Sequence, residues 1–175
     1  MHTGSSARRY PLIEEISTSL TAPEAFELFK HRRRCFFLDR GMDPEKLGRY
    51  SFIGSDPFLV LKSHGREVAL LHGDREERVM GNPFDVLGEV LERYAVEPCP
   101  LPIPFVGGGV GYFSYDLCHF IERLPCTTVD DLSLPECYLA FYDAVIGFDH
   151  LEGRTYIAST GFPETDEDRR MARAR

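Results

Sequence analysis

His119 and Glu122 stand three residues apart beside Cys118, a spacing that puts two metal-ligand types on one helix face. Catalytic zinc needs three protein ligands in a tetrahedral array, and no third partner lies close to this pair in the sequence. A cysteine nucleophile needs a base and an acid that orients it. Cys35, Cys118 and Cys137 sit among apolar neighbours, where a thiol is a small inert core group. Gly107-Gly108-Gly109-Val110-Gly111 has the glycine density of a phosphate loop. It lacks the Gly-Lys-Ser/Thr ending and the G-x-G-x-x-G spacing that opens a helix. Glycines placed this way in a strand instead permit a bulge or a close backbone approach. Asp130-Asp131, and Asp39 with Asp43, fit loops and caps and lack the apolar setting that raises a carboxyl pKa. These residues make no catalytic constellation, so the chemistry of the chain has to be sought in what its elements position.

The first element is helical. Thr21 and Glu24 form a capping box, with Pro23 in the first turn. Phe26 and Phe29 share one face, and the run His31 to Arg34 is expected to close the helix at the negative end of its dipole. Strands follow. Cys35 to Leu38 reads as a short buried strand, and Asp43-Pro44 marks a loop from Gly41 to Lys46. Tyr50 to Ile53 and Phe58 to Leu61 are separated by the breaker Gly54-Ser55-Asp56-Pro57. His64-Gly65 and Gly73-Asp74 turn the chain into Val68 to Leu71 and then Arg78 to Met80, so these strands pair antiparallel.

Asn82 caps a second helix, with Pro83 in its first position and Asp85 in its first turn. Its core stripe reads as Phe84, Leu87, Leu91 and Tyr94. Pro98, Pro100, Pro102 and Pro104 make a stiff connector, and Leu101, Ile103 and Phe105 suit it to packing on a surface. Asp116 to Arg123 reads as a short helix, and Thr127 to Asp131 as a polar loop. Tyr138 to Phe148 reads as one strand, Asp149 to Gly153 as a loop, and Arg154 to Thr160 as the returning strand. Residues 164–175 are helix-compatible, and no Gly or Pro closes them, which leads us to expect a cut inside a longer chain.

The bulk properties exclude several classes. The chain has 175 residues, 43% hydrophobic and 27% charged, which is the make-up of a folded domain and not of a disordered chain. Its net charge of −8 is the reverse of a nucleic-acid binder's. Its five cysteines never fall as C-x-x-C, which points to reduced thiols in a cytoplasmic setting. No apolar run approaches the roughly 20 residues of a membrane span, and no apolar core follows Arg8 and Arg9 as in a signal peptide.

Two stretches carry a family resemblance. Phe36-Phe37-Leu38-Asp39-Arg40-Gly41, followed by Leu47-Gly48-Arg49-Tyr50-Ser51-Phe52-Ile53-Gly54-Ser55-Asp56-Pro57, resembles the start of component I of the chorismate-using synthases. These are anthranilate synthase and para-aminobenzoate (aminodeoxychorismate) synthase. Phe105 to Asp116, with Glu122 and Leu124-Pro125, resembles the family's F-x-G-G-x-G-Y-x-x-Y-D … E-x-L-P stretch, and Asp143 to His150 its strand before an F-D-H turn. The resemblance runs from about residue 10 to residue 160.

The resemblance implies an α+β fold of orthogonally packed antiparallel sheets flanked by helices. It implies an N-terminal domain over residues 1–160 and the start of a linker at 161–175, leading to a C-terminal chorismate-binding domain that this chain does not contain. The catalytic groups and the magnesium belong to that absent domain, so no catalytic residue, metal or cofactor is expected here. The "L-D-x-G" wording points to the para-aminobenzoate branch, in which chorismate is aminated on the way to folate. The alternatives are anthranilate synthase component I, on the way to tryptophan, a stand-alone module that binds an aromatic ligand, and a structural domain whose apolar face docks a partner. Expected partners are the absent domain, a glutamine amidotransferase subunit, and a second copy brought together by an exposed apolar face. The resemblance also implies a tryptophan-type pocket walled by Leu38, Asp39 and Arg40 on one side and Arg49, Tyr50, Ser51 and Phe52 on the other. Arg40 replaces the family's Ser and opposes a ligand ammonium. Asp39 and the Ser51 hydroxyl are the expected polar partners.

Overall fold

The structure is a computed structural model that describes residues 9–39, 48–125 and 131–175. Two compact units emerge. The first combines the chain up to residue 57 with residues 94–108 and 142–175, and the second holds residues 58–93 and 109–141. Each contains one five-stranded antiparallel sheet, so the class is α+β.

The sheet of the first unit contains β1 (Leu12–Ile16), β2 (Phe36–Leu38), β3 (Tyr50–Gly54), β9 (Ala144–Asp149) and β10 (Arg154–Ser159), in the order β1-β10-β9-β3-β2. Helix α1 (Ala22–Glu27) carries the capping box: Thr21 N–H donates to Glu24 Oε2 at 2.8 Å, and Glu24 N–H to Thr21 Oγ1 at 3.5 Å. The Thr21 backbone amide first, and then the Thr21 hydroxyl, which donates to the same Oε2 at 2.7 Å, hold the Glu24 carboxyl below its ordinary pKa. Ala22 and Ala25 are buried with Ile53 and Phe148, and Phe26, Phe29, Phe37 and Ile146 pack around them. On the other side, Phe52 meets Phe105 edge-on at 5.6 Å, and Ile103 is buried. The Pro-rich connector thus anchors by Ile103 and Val106 while Leu101 stays at the surface.

The second unit contains β4 (Leu59–His64), β5 (Glu67–His72), β6 (Arg75–Met80), β7 (Gly108–Phe113) and β8 (Cys137–Tyr142), in the order β6-β5-β4-β8-β7. Both expected hairpin turns are present, with Gly65 and Gly73 at φ +54° and +61°. Helix α2 (Pro83–Arg93) starts where Asn82 Oδ1 accepts the Phe84 N–H at 3.0 Å, and it packs against β5. The Gly-rich stretch is strand β7. A Cβ on Gly111 would lie 1.9 Å from the Tyr138 carbonyl oxygen, so glycine there serves a close backbone approach.

Several expectations need correction. Helix α1 stops at Glu27, and the basic run lies in turns beyond it, with Arg34 at φ +48°. β2 is an edge strand with Leu38 exposed, not a buried one. β1 was not expected. The buried stripe of α2 is Pro83, Val86, Leu87 and Val90, and Leu91 is exposed. Tyr138 to Phe148 is two strands, β8 and β9, which break at Asp143 and belong to different sheets. The short helix at 116–123 is a 3₁₀ helix over Tyr115–Phe120. The expected loop at 41–46, residues 127–130 of the loop expected at 127–131, and Cys126 lie outside the described residues.

Residues 161–175 carry helix α3 (Glu167–Ala174), capped by Asp166, whose Oδ1 accepts the Arg169 N–H at 3.1 Å. Arg170 is 2% exposed, and its Nη1 donates to the Tyr10 and Thr160 carbonyls, each at 2.9 Å. Burial pushes the Cys137 thiol up to about 11. No helix is long and apolar enough to cross a membrane, and no cluster of three metal-ligand types occurs, among the described residues.

Candidate functional site

The two expected pocket walls are neighbouring strands. β2 pairs antiparallel with β3, with Leu38 opposite Phe52 and Phe37 opposite Ile53. Alternation along β3 then sorts the side chains by face. Ser51 lies on the Ile53 face, whereas Tyr50 and Phe52 lie on the other, their rings 6.0 Å apart. Phe52 belongs there to the packing with Phe105.

Ser51 is fully buried and joins two chain segments. Its hydroxyl donates to Asp39 Oδ1 at 2.9 Å, and its oxygen lies 2.7 Å from His150 Nε2. A serine has one proton to give, so with that proton on Asp39 its lone pair takes the Nε2–H of His150. The result is a hydrogen-bond chain His150–Ser51–Asp39 that ends on an exposed carboxylate.

Asp39 and His150 both face a cavity of about 530 Å³. Thr21, Phe148, Asp149 and Thr155 contribute to its wall. Asp149, at the end of β9, is only 3% exposed yet charged. Burial raises its pKa, but the Arg49 hydrogen bonds and the Glu152 and Leu151 amides outweigh burial and leave it below the ordinary carboxyl value. Arg49 holds it by Nε and Nη2, and the same guanidinium lies 4.9 Å from the Tyr50 ring centroid. Arg49 itself titrates above its ordinary value, chiefly through the Asp149 hydrogen bond. The cavity therefore presents an acidic group fixed by serine, an imidazole whose Nε2 is committed, and a second acid neutralised by arginine.

Of the described residues in the expected set, Asp39 lines this cavity. Ser51 and Arg49 act one step back, by fixing Asp39 and Asp149. Leu38, Tyr50 and Phe52 do not line it, and Arg40 lies outside the described residues. Sequence reasoning missed Asp149 and His150 as wall residues, although both stand in the F-D-H turn singled out above.

Comparison with known proteins places this geometry in context. The anthranilate synthase component 1 of Acetivibrio thermocellus is 35% identical over 149 residues, covering 84% of this chain and 30% of that protein. The component 1 of Neisseria meningitidis serogroup C is 31% identical over 174 residues, 95% of this chain and 35% of that protein. The chloroplastic anthranilate synthase alpha subunit 2 of Arabidopsis thaliana is 36% identical over 128 residues, 69% of this chain and 21% of that protein. The crystal structure of anthranilate synthase component I from Streptococcus pneumoniae superposes with a TM-score of 0.56 at 18% identity, over 89% of this chain and 33% of that one, and shows the same fold. No protein-family model matches the chain. The chain spans a third or less, or little more, of the length of the curated relatives it matches. The chain is a homologue of anthranilate synthase component I and corresponds to its N-terminal region.

Proposed function

We propose that the chain serves as the N-terminal, non-catalytic part of an anthranilate synthase component I. In that role it supports the conversion of chorismate, with ammonia from a glutamine amidotransferase subunit, to anthranilate and pyruvate in a magnesium-dependent domain outside this chain. The carrying observation is the 35% identity to the Acetivibrio thermocellus component 1 over 84% of the chain. The para-aminobenzoate branch, favoured by the wording around Asp39, receives no such support, and the anthranilate branch takes its place as the preferred reading. The cavity at Asp39 is proposed to hold an aromatic amino acid such as tryptophan. Its volume of about 530 Å³ suits one small molecule, and the Ser51-fixed carboxylate suits an ammonium group.

A chimera tests the main reading. The matched region of the Acetivibrio thermocellus component 1 is replaced by this chain, and the gene is placed in a bacterial strain that lacks its own component I and requires tryptophan. Growth without tryptophan is expected. A chimera that folds and accumulates but does not restore growth overturns the reading.

A further inference from the structure

A row of three isoleucines crosses the first sheet. Ile53 on β3 stands opposite Ile146 on β9, and Ile146 stands opposite Ile157 on β10. Directly opposed residues share a face, and this is the face that α1 covers through Ala22 and Ala25. The cover fails along the row. Ile53 is fully buried, whereas Ile157 is 40% exposed, although β10 lies inside the sheet between β1 and β9. Helix α1 is only six residues long. Beyond its end a cavity of about 360 Å³ opens over the three isoleucines, with Phe29 in its wall. It shares no lining residue with the Asp39 cavity, which lies against Thr21 and Ala22 at the opposite end of α1.

Two arginines also line this cavity, and each is held through its Nε. Arg32 Nε lies 2.9 Å from Asp56 Oδ2, and the Arg32 guanidinium lies 5.9 Å from the Phe29 ring centroid. Arg173 Nε donates to Asp143 Oδ2 at 3.0 Å and to the Phe162 carbonyl at 2.7 Å. Among the described residues, neither arginine gives an Nη N–H to a protein acceptor. A guanidinium edge takes a carboxylate by two parallel hydrogen bonds. Arg32 also belongs to the run Lys30 to Arg34, which puts four basic side chains in five residues of a chain with net charge −8.

We propose that this cavity binds a small carboxylate with an apolar body. The body rests on Ile146, Ile157 and Phe29, and the carboxylate meets the Nη edge of Arg32. Arg32 is the freer of the two arginines, since Arg173 is held by two acceptors. The isoleucine row ends on β1 at Glu14, opposite Ile157, an exposed acid that turns the carboxylate end towards arginine. A cavity of this size suits one small molecule, with a few polar groups fixing its orientation. The inference goes beyond the functional reading above and does not rest on it.

The test is a titration of the full chain with 3-phenylpropionate, read by NMR of labelled isoleucine δ1-methyl groups. Ile53, Ile146 and Ile157 line the cavity, and Ile13, Ile16, Ile103 and Ile121 do not. Saturable shifts confined to the first three methyls are expected. 3-Phenylpropanamide has the same body without the charge and should bind about tenfold more weakly, the loss of a hydrogen-bonded charge. Acetate keeps the charge without the body and should also bind about tenfold more weakly, through lost apolar burial. Arg32→Gln should weaken 3-phenylpropionate about tenfold. Arg33→Gln, in the same basic run but outside the cavity, should bind like the parent. Both side chains are exposed, so both variants should keep the parent's melting temperature. Shifts spread over the other isoleucines, undiminished binding by Arg32→Gln, an equal loss with Arg33→Gln, or no saturable shift overturns the proposal. Acetate or inorganic phosphate binding as tightly as 3-phenylpropionate also overturns it, by naming a bare anion patch. Equal binding of the amide overturns it by naming an apolar site with no use for the arginine.

Discussion

Arg49 grips Asp149 with two prongs, Nε to Oδ1 at 3.0 Å and Nη2 to Oδ2 at 2.6 Å, across a hundred residues of sequence. Oδ1 also accepts the Leu151 and Glu152 N–H groups at 3.0 and 3.1 Å, so the β9–β10 turn is folded around this carboxylate. The turn carries His150, which bonds Ser51 and through it Asp39. The pair thereby positions one wall of the cavity.

Its pH signature follows from the direction of the shift. Asp149 titrates below its unfolded value, so its stabilising contribution is present above the ordinary carboxyl pKa and is lost as pH falls through the folded value. Asp149→Asn should lower stability by about 1–3 kcal/mol at neutral pH, the cost of weakening a buried, charge-assisted network. The gap to the parent should narrow below about pH 4. Urea melts at a series of pH values measure it, and a gap that stays constant down to pH 3 would count against the pair.

Gly111→Ala should destabilise the second unit by about 3 kcal/mol, because overpacking against backbone has no cheap relief. The new methyl would sit 1.9 Å from the Tyr138 carbonyl oxygen, and β8 is held on its far side by β4. Gly73→Ala, with nothing within 4 Å, should suffer only from its positive φ and cost about 1 kcal/mol. Equal melting temperatures for the two variants would contradict the strand pairing described for β7.

Arg170→Met should cost about 2 kcal/mol, since the buried Thr160 carbonyl and the partly buried Tyr10 carbonyl lose their donor. Tyr10 and Thr160 would be left unpaired, and helix α3 would lose its tie to both segments. Hydrogen exchange reads this as faster exchange in residues 161–175. Unchanged protection there would mean that Arg173, which donates to Phe162 O at 2.7 Å, suffices by itself.

Much of this was legible in the sequence, and the exceptions have physical causes. The Thr21 box, the Asn82 cap and the two glycine turns declare themselves because each depends on local chemistry. Helix α2 was placed but its face was rotated. Its apolar residues support two stripes that share Leu87, and packing against β5 chooses Val86 and Val90 over Leu91. The break between β8 and β9 was hidden because Tyr138 to Phe148 is apolar almost throughout, and only Asp143 interrupts it. β1, Leu-Ile-Glu-Glu-Ile, is a strand because β10 pairs with it from Ser159 to Thr155, which no local signal announces. At the cavity, Ser51 was legible from its strand. His150 and Asp149 reach it only through the register that sets Ser51 opposite Phe148 and Tyr50 opposite Asp149.

The most direct test of the central claim is the product made by this chain joined to the remainder of a homologous component I. Chorismate, ammonium and magnesium are supplied, and the products are separated by chromatography and identified by mass. The account predicts anthranilate and an equal amount of pyruvate. A joined protein that folds and accumulates but forms no anthranilate, while the intact homologue does so under the same conditions, would contradict it.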